Sequence, residues 1–280
     1  MLDDAAALAR RALAEDGARD ITTVVTTPAT LAAHGVLEVR TDTVLAGTQY
    51  ADAVLAACGV PAASWHFREG DRMLAGTVAA TLDGPLRSML LAERTLLNFL
   101  QRACGIATLT RRYVDAVAHT GARILHTRKT APGLRIFDVE AVRAGGGGVH
   151  RIDLAHTVMV KDNHWRALAK GGRTLADALA QARDLGVLGL YVEVESLQQV
   201  DEACDAGATR LLVDNQTPAT VANWGARARS RSQGIEIEAT GGITLENVAR
   251  YAQAAADFIS IGALTHSVVA ADVSLELREG

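Results

Sequence analysis

The segment GLYVEVESLQQVDEACDAGATRLLVD, residues 189–214, contains the most informative pattern in the chain. Two short apolar runs, residues 189–195 and 208–214, flank a segment whose apolar residues recur at helical spacing. A strand, a helix and a second strand in this order predict parallel strands joined by a right-handed crossover. The stretch therefore predicts one β-α-β unit.

The same alternation recurs on both sides of this unit. Four more apolar runs share its character: ARILHT (122–127), HTVMVK (156–161), GIEIEAT (234–240) and DFISIG (257–262). Helical segments separate most of the runs, at residues 174–186, 218–230 and 244–256. Six runs in this rhythm favour a closed α/β barrel of parallel strands. An open doubly wound sheet is the alternative, although no GxGxxG motif follows the first run to support it.

The first part of the chain follows a different pattern. We expect a helix over residues 3–15, and the runs HGVLEVR (34–40) and GTVAATLDG (76–84) alternate as half-buried strands do. Residues 90–118 then show helical spacing, with a break predicted near Gly105. This part therefore predicts a small α+β domain that ends in a long helical connector.

The composition excludes several classes of function. Of the 280 residues, 49% are hydrophobic and 21% are charged, so the chain can build a sizeable core. A net charge of −4 gives no bulk attraction to nucleic acid or to a membrane surface. We therefore expect neither of these partners, and any anion site must be local. No apolar run reaches about 18 residues, so no membrane span is expected.

The N-terminus and the cysteines indicate a cytoplasmic location. The first 16 residues carry acids at once and no apolar stretch, so we expect no signal peptide. The three cysteines, Cys58, Cys104 and Cys204, are far apart and odd in number, which predicts neither a disulfide framework nor a zinc site. A reducing, cytoplasmic environment suits this usage.

Cations stand where the first two barrel runs end. Arg128 and Lys129 end the first run, within HTRKTAPGLR, and Lys161 ends the second. Lysine is scarce, since the chain contains only these two and Lys170. The carboxyl ends of parallel barrel strands meet on one face, where active sites are built. The cations are therefore predicted to face one pocket.

Two acids end the next two runs. Glu193 ends the third run and Asp214 the fourth. A single acid at such a place could cap the following helix. Two acids close to several cations instead favour a Mg²⁺ site, because Mg²⁺ takes one or two carboxylates together with substrate phosphate. Glu195 shares the strand face of Glu193, so the pattern leaves open which of the two lies nearer the metal.

Glycines follow the last two runs. EATGGITLENV (238–248) and SIGALTH (260–266) place Thr240, Gly241, Gly242 and Gly262 between a strand and a helix. Small residues there let backbone N–H groups approach a phosphate. Barrels often build phosphate sites from the loops of their last strands, so these turns are candidate phosphate-binding loops.

AVRAGGGGVHR, residues 141–151, runs from a helix through four glycines to a cationic pair. A flexible linker is the simplest interpretation, but this one ends in His150 and Arg151 directly before another strand. With Arg128 and Lys161, these residues would suit a substrate with two carboxylates, since arginine binds carboxylate with two parallel hydrogen bonds. Any one of these cations alone could be a solvated surface residue.

Glu93 and Arg94 interrupt an apolar helix in LLAERTLLNFL. A local ion pair is the simplest interpretation. If the protein dimerises, Arg94 could instead reach the pocket of a partner.

Seven motifs, taken in chain order, carry a family resemblance. They are TRKTAPGLR, AVRAGGGGVHR, VMVKDNH, VEVES, LLVDN, EATGGI and IGALTHS. With AERTLLN and the N-terminal ED…DIT, they resemble the quinolinate phosphoribosyltransferases (nicotinate-nucleotide pyrophosphorylases, decarboxylating). The resemblance covers nearly the whole chain, and the combination of RKT.PG with KDNH is specific.

The resemblance implies a two-domain α/β protein, a type II phosphoribosyltransferase. Residues 1–105 would form an N-terminal α/β sandwich, with residues 268–280 packing back on it. Residues 106–267 would form an incomplete α/β barrel of parallel strands. The family forms a dimer, or a hexamer built from dimers, in which one subunit completes the active site of the other.

The implied reaction is a pentosyl transfer in NAD biosynthesis. The ring nitrogen of quinolinate joins the ribose of phosphoribosyl pyrophosphate (PRPP), pyrophosphate leaves, and the 2-carboxylate departs as CO₂ to give nicotinate mononucleotide. The resemblance implies Mg²⁺, bound with PRPP, and no organic cofactor.

The resemblance also implies roles for individual residues. A cradle for the pyridine dicarboxylate is matched by Thr127, Arg128, Lys129, His150 and Arg151. Lys161 matches a lysine that bridges both substrates, and Arg94 matches an arginine donated across the dimer.

The remaining roles concern PRPP. Glu193 and Asp214 match acids that hold ribose hydroxyls and Mg²⁺, directly or through water. The 5′-phosphate loops are matched by Thr240, Gly241, Gly242, Ile261, Gly262 and Ala263. The predicted catalytic set is Lys129, Lys161, Glu193 and Asp214.

Three departures from the family pattern keep an alternative open. Val139-Glu140 stands where many members read Lys-Tyr, Val149 replaces a common Asn, and Tyr191 replaces a common acid. A paralogous phosphoribosyltransferase acting on a related pyridine or aromatic carboxylate is one alternative. Another is a different phosphate-binding barrel enzyme, such as an isomerase or an aldolase that uses a lysine as a Schiff base.

Overall fold

A computed structural model describes residues 5–17 and 19–279 of the chain, with only the backbone of Glu279. Residues 3 and 4 of the predicted first helix lie outside these ranges. The chain divides into two compact units. The sheet unit contains the residues up to Arg111, Thr130–Gly146 and those from Leu264 onward. The barrel unit contains Arg112–Lys129 and Gly147–Ala263.

The helices alternate with strands along most of the chain. The α-helices are α1 (Ala5–Leu13), α2 (Ile21–Thr26), α3 (Thr48–Ala57), α4 (Leu86–Val117), α5 (Arg135–Ala144), α6 (Asp162–Lys170), α7 (Leu175–Asp184), α8 (Leu197–Asp205), α9 (Pro218–Arg231), α10 (Val248–Gln253) and α11 (Ala263–His266). A 3₁₀ turn, Ala14–Asp16, follows α1. Among the helices of the described ranges, none combines the length and the apolar content that a membrane span requires.

The strands follow the same order. They are β1 (Ala32–Val39), β2 (Thr43–Val44), β3 (Ser64–Trp65), β4 (Arg72–Met73), β5 (Val78–Pro85), β6 (Arg123–Leu125), β7 (Thr157–Val160), β8 (Gly189–Val194), β9 (Arg210–Asp214), β10 (Glu236–Thr240), β11 (Phe258–Ser260) and β12 (Val273–Glu279).

The sheet unit is built on a four-stranded sheet in the order β12-β1-β5-β3. Its pairings are antiparallel, and Leu37 lies between Ala80 and Leu275. Every second residue of β1 is buried, from Ala33 to Val39, as the alternating sequence predicts. The strands β2 and β4 form a separate two-stranded ribbon.

The long helix α4 corrects one expectation. It runs without a break from Leu86 to Val117, through the predicted break at Gly105. A Cβ at Gly105 would lie 2.2 Å from the carbonyl oxygen of Val269, so the glycine allows another backbone segment to approach the helix. The glycine was a signal of close approach, which pattern alone does not distinguish from a helix end.

The barrel unit contains six parallel strands in the order β6-β11-β10-β9-β8-β7. Each step from β7 to β11 moves in the same direction, and β6 lies beside β11. A doubly wound sheet would reverse this order at a switch point. The order is that of a barrel left open between β6 and β7, which confirms the predicted fold class of an incomplete parallel barrel.

The barrel strands bury two different faces. One face is aliphatic and includes Leu190, Val192, Leu211 and Ile237, all fully buried or nearly so. Several of the alternate positions carry polar side chains, and Arg210, Glu238 and Ser260 among them contact one another in the interior of the barrel. This polar interior supports the candidate site.

The sheet unit depends on one buried carboxylate for its stability. Asp138 on α5 is fully buried and accepts two hydrogen bonds from Arg102, at 2.9 and 2.8 Å. Asp138→Ala leaves this guanidinium without its carboxylate partner, with only the Thr265 carbonyl among the described residues to accept from it, and is expected to lower the free energy of unfolding by about 3–5 kcal/mol in urea titrations. Asp83, whose pair with His34 is exposed, is the matched control, and Asp83→Ala should cost under about 1 kcal/mol. Equal costs for the two variants would contradict this assignment.

Candidate active site

The predicted site residues of the barrel unit follow the carboxyl ends of its strands. Thr240 on β10 pairs with Asp214 on β9 and with Ser260 on β11, so these three ends are level. Lys161 follows β7, and Glu193 lies near the end of β8. These polar side chains therefore lie at one end of the sheet, which is the functional face of a parallel barrel.

A lysine and a glutamate from neighbouring strand ends form an ion pair. Lys161 Nζ donates a hydrogen bond to Glu193 Oε2. The Glu193 carboxylate is largely buried, and Trp165 Nε1 donates to the Glu193 carbonyl at 2.9 Å. Glu195 lies beyond the end of β8 and is exposed. Of the two glutamates, Glu193 is therefore the one that pairs with Lys161.

The KDNH motif fixes the start of helix α6. The Nδ1 atom of His164 accepts the backbone N–H of Lys161 at 3.0 Å. Asp162, in the first turn, pairs with Arg166 at 3.0 Å. The histidine thus satisfies a backbone donor at the helix start and holds the residue that carries the site lysine.

The positive charges of two guanidinium groups, those of Arg128 and Arg151, act on each other. Burial lowers the pKa of Arg151, and the positive charge of Arg128 lowers it further, against the opposing charge of Asp153. The Nε atom of Arg128 is buried and has no hydrogen-bond partner among the residues that the structure describes. This arrangement favours an anion between the two arginines.

Lys129 and Thr127 lie on the same turn. Thr127 Oγ1 accepts the backbone N–H of Lys129 at 3.1 Å, and the Lys129 side chain is exposed. The side chain of Lys129 is therefore exposed on the turn that follows β6.

His150 has surroundings that differ from those of the other candidate cations. Its Nδ1 atom accepts the backbone N–H of Arg151 at 2.7 Å, and its Nε2 atom lies 3.2 Å from Glu238 Oε2. Only 6% of its side chain is exposed. Both ring nitrogens are engaged within the protein, which the sequence did not predict.

The glycine run before His150 is closely packed. Within the sheet unit, a Cβ at Gly145 would lie 2.5 Å from the carbonyl oxygen of Ala107. Within the barrel unit, a Cβ at Gly148 would lie 2.8 Å from Leu125 Cδ2. The interpretation of this run as a flexible linker is therefore wrong, because its glycines make room for close contacts.

Sequence reasoning missed a buried polar cluster below the site. Glu238 is 1% exposed, and it accepts hydrogen bonds from Arg210 Nη1 at 3.0 Å and from Ser260 Oγ. The Arg210 guanidinium lies 4.4 Å from the ring centre of Tyr191 and 3.8 Å from that of Phe258. The charged residues inside the apolar runs RLLVD and IEIEAT were the sequence feature that could have indicated this cluster.

The buried glutamate is held in its charged form. The Glu238 carboxylate has three partners, Arg210, Ser260 and His150, and Arg210 brings a full positive charge to it. A buried carboxylate with three partners of this kind is fixed in both charge and orientation.

The glycine turn after β10 lies against the end of β9. Gly241 and Gly242 adopt φ of 80° and 61°, a region open to glycine. A Cβ at Gly241 would lie 2.4 Å from Asn215 Oδ1 and 2.7 Å from Asp214 Oδ1. Asn215 in turn donates to Asp214 Oδ2 at 2.7 Å. The structure therefore brings the predicted carboxylate and the predicted phosphate loop together.

The last predicted loop follows β11. The backbone N–H of Ile261 donates to the Leu125 carbonyl at 3.0 Å, and Ile261 is buried. Gly262 and Ala263 are partly exposed directly after this anchor. The loop is thus fixed at its base and open at its tip.

The two acids at the strand ends, Glu193 and Asp214, could supply one or two ligands to a metal ion whose remaining ligands come from the substrate and water. In the described part of the chain, no group of three or more histidine, cysteine, aspartate or glutamate side chains could hold a metal ion. Asp214 is partly exposed, whereas Glu193 is paired with Lys161. One or two carboxylates with substrate oxygens and water is a donor set that suits Mg²⁺.

Arg94 belongs to the sheet unit and is exposed on α4. The predicted local ion pair with Glu93 is absent among the described residues, since adjacent helical positions do not face each other. In the same unit, Glu140, one of the departures from the family pattern, accepts hydrogen bonds from Tyr50 and from Gln49 Nε2.

Comparison with known proteins assigns nearly the whole chain to one family. The family model described as "Quinolinate phosphoribosyl transferase, N-terminal domain" matches residues 20–104, and the model of the corresponding C-terminal domain matches residues 106–276. A nicotinate-nucleotide pyrophosphorylase (carboxylating) of Mycobacterium leprae is 40% identical over 278 residues, which cover 96% of this chain and 95% of that protein.

Solved structures give the same result. The nicotinate-nucleotide pyrophosphorylase of Francisella tularensis is 31% identical, with a TM-score of 0.90 over 98% of this chain and 96% of the other. NadC from Streptococcus pyogenes is 34% identical, with a TM-score of 0.89 over 98% of this chain and 96% of the other.

Proposed function

The chain belongs to the quinolinate phosphoribosyltransferase family, and we propose that it performs the family reaction with the side chains at the open end of its barrel unit. It transfers phosphoribosyl from PRPP to quinolinate with decarboxylation, giving nicotinate mononucleotide, CO₂ and pyrophosphate in NAD biosynthesis. The observation that carries the residue assignment is the interaction of two guanidiniums, those of Arg151 and of Arg128, whose buried Nε atom has no hydrogen-bond partner among the described residues. A paralogue with another substrate is not favoured by the relatives.

The two arginines and Lys129 would bind the pyridine dicarboxylate. Arg128 and Arg151 repel each other, so a dianion between them removes an unfavourable interaction as well as forming hydrogen bonds. Held by its two carboxylates, the aromatic ring presents its nitrogen in a fixed orientation. Such orientation lowers the barrier for attack on the ribose carbon.

The Lys161–Glu193 pair would lie beside the reacting ribose. The lysine can exchange its contact with Glu193 for contacts to substrate oxygens, since its side chain is 42% exposed. The glutamate then remains as a negative group near the ribose, where positive charge develops as the bond to pyrophosphate breaks.

Asp214 and the Gly241–Gly242 turn would hold PRPP from the other side. The turn offers backbone N–H groups to the 5′-phosphate, and Ile261, Gly262 and Ala263 would offer a second set. Asp214 would take a ribose hydroxyl and, with Glu193, the Mg²⁺ that accompanies PRPP. When bound, the metal would neutralise charge on the leaving pyrophosphate.

The reaction needs little covalent help from the protein. The ring nitrogen forms a bond to the ribose carbon as the bond to pyrophosphate breaks, and the pyridine becomes cationic. The bond to the 2-carboxylate then breaks, its electron pair stays on the ring carbon, and one proton replaces the CO₂. The protein binds, orients and excludes water at each step.

The direct test is an assay of the purified chain with quinolinate, PRPP and Mg²⁺, following nicotinate mononucleotide and CO₂. Formation of both in equal amounts is expected. Tight PRPP binding without product would instead support a paralogue that uses another acid. Borohydride trapping of a substrate on Lys129 or Lys161 would support an aldolase mechanism and contradict the proposal.

We further propose a dimer, or a hexamer of dimers, in a cytoplasmic location suited to three unpaired cysteines. Arg94 of the partner subunit would complete each site. Its exposed position on α4 and its lack of an ion pair among the described residues support this proposal.

Mixed dimers test the shared site. Arg94→Ala is expected to lower kcat/KM by about thirtyfold, because a substrate carboxylate loses its guanidinium partner. Each site takes Lys161 from one subunit and Arg94 from the other, so equal mixing of Arg94→Ala with Lys161→Ala chains should restore about a quarter of the sites. Activity of the refolded mixture is compared with that of each parent. No recovery in verified mixed dimers would exclude the shared site.

A further inference from the structure

A continuous series of hydrogen bonds leads from Glu238 to the backbone of Arg151. Glu238 contacts His150, the His150 ring contacts the backbone of Arg151, and the backbone N–H of His150 donates to His126 Nε2 at 3.0 Å. His126 is fully buried, and its Nδ1 atom lies 3.0 Å from the Thr127 carbonyl. Two histidine rings thus hold the backbone N–H groups of consecutive residues.

The contacts define the protonation of the His150 ring. A backbone N–H can only donate, so Nδ1 of His150 must carry a lone pair where it meets Arg151. A carboxylate can only accept, so Nε2 must carry the hydrogen that meets Glu238. The ring is therefore neutral and has no further N–H to offer to a substrate.

The ring is also fixed by its packing. Tyr191 packs edge to face with it, with 5.8 Å between ring centres, and the Arg210 guanidinium lies over the ring of Tyr191. Because Arg210 also binds Glu238, the carboxylate and the tyrosine are held by one cation. The ring of His150 is thereby confined to one orientation.

We infer that Glu238 is a positioning residue for Arg151, acting through a neutral His150 that does not itself donate to the substrate. The carboxylate holds the Nε2–H tautomer of His150, which leaves Nδ1 to receive the Arg151 N–H and sets the backbone from which the Arg151 side chain extends. The identity of the Arg151 ligand as a carboxylate of the pyridine substrate rests on the proposed function. The arrangement of the histidine does not depend on that function.

A pair of glutamine variants separates positioning from stability. Glu238→Gln and Glu236→Gln each remove one carboxylate from Arg210, since Glu236 also accepts from that guanidinium at 2.8 Å. Only Glu238 contacts His150. We expect Glu238→Gln to raise KM for quinolinate by about tenfold or more, with KM for PRPP unchanged within about twofold. Glu236→Gln should leave both values within about twofold. Equal effects of the two variants would overturn the inference.

Substitutions of His150 itself distinguish its two nitrogens. In His150→Asn the side-chain oxygen occupies the place of Nδ1 and can still accept from Arg151. In His150→Gln the amide occupies the place of Nε2 and leaves the Arg151 N–H without an acceptor. We expect the asparagine variant to keep at least about tenfold more kcat/KM than the glutamine variant. The reverse order would mean that Nε2 donates to the substrate.

A spectroscopic measurement decides the matter without activity. The NMR spectrum of wild-type protein labelled with ¹⁵N-histidine is compared with that of His150→Asn, and the signals missing from the variant are those of His150. These signals should show an unprotonated Nδ1 and a protonated Nε2. Adding quinolinate alone should leave this pattern unchanged. A doubly protonated ring, or loss of the tautomer on addition, would overturn the inference. If the wild-type chain failed to use quinolinate, the proposed function would fail while this spectrum still tested the tautomer. If the Glu238→Gln variant does not fold, the wild-type spectrum alone still tests the inference.

Discussion

Lys161→Met is expected to lower kcat/KM by about a thousandfold, the largest loss that we expect from any single substitution in the site. Methionine keeps the length and the apolar stem of lysine and removes the charge that pairs with Glu193. A site for PRPP and a dicarboxylate then loses a cation between its substrates and gains an uncompensated, largely buried carboxylate. Steady-state kinetics with quinolinate and PRPP measure the loss.

Lys170→Met is the matched control for this variant. Lys170 lies on the same helix, α6, and is exposed at its last residue. The same chemical change should alter kcat/KM by less than about twofold there, because an exposed cation contributes little. Comparable losses in both variants would indicate a general effect of charge and contradict the role of Lys161.

Gly241→Ala is expected to lower kcat/KM by at least about a hundredfold, mainly through KM for PRPP. The new Cβ would lie 2.7 Å or less from oxygens of Asp214 and Asn215, so one of these side chains must move. The substitution also places alanine at φ of 80°, which costs roughly 1–2 kcal/mol of stability.

Gly234→Ala separates the strain from the contact. Gly234 lies on the loop before β10 and has φ of 82°, and a Cβ added there would have no heavy atom within 4 Å. This variant should lose a similar free energy of unfolding in urea titrations and keep its KM for PRPP. If both variants lost stability equally and neither changed that KM, the turn would have no part in PRPP binding.

The regular rhythm of the barrel unit could be predicted because each strand and each helix is encoded locally. Apolar runs of fixed length followed by helical spacing gave the parallel strands, and the residue after each run gave Arg128, Lys161 and Asp214. These inferences need only the rule that parallel strands end on the same face. These inferences depend on the direction in which each strand runs and not on how its side chains pack.

The contacts that the sequence did not predict depend on register and on distant segments. Glu238 meets His150 across 88 positions and Arg210 across 28, so no local window contains the cluster. Gly105 was misinterpreted for the same reason, since the segment near Val269 that needs its small size lies far along the chain. Local patterns identify an unusual residue but not the partner that explains it.

The pairing of β1 with β12 has a consequence for synthesis of the chain. Arg40 and Ser274, which share a hydrogen bond at this edge, lie 234 positions apart. A ribosome must therefore make the whole barrel unit before β1 can acquire this neighbour, whereas the β-α-β units of the barrel can form as they emerge. During translation, one edge of β1 remains open to pairing with other nascent chains until β12 has been made and closes it.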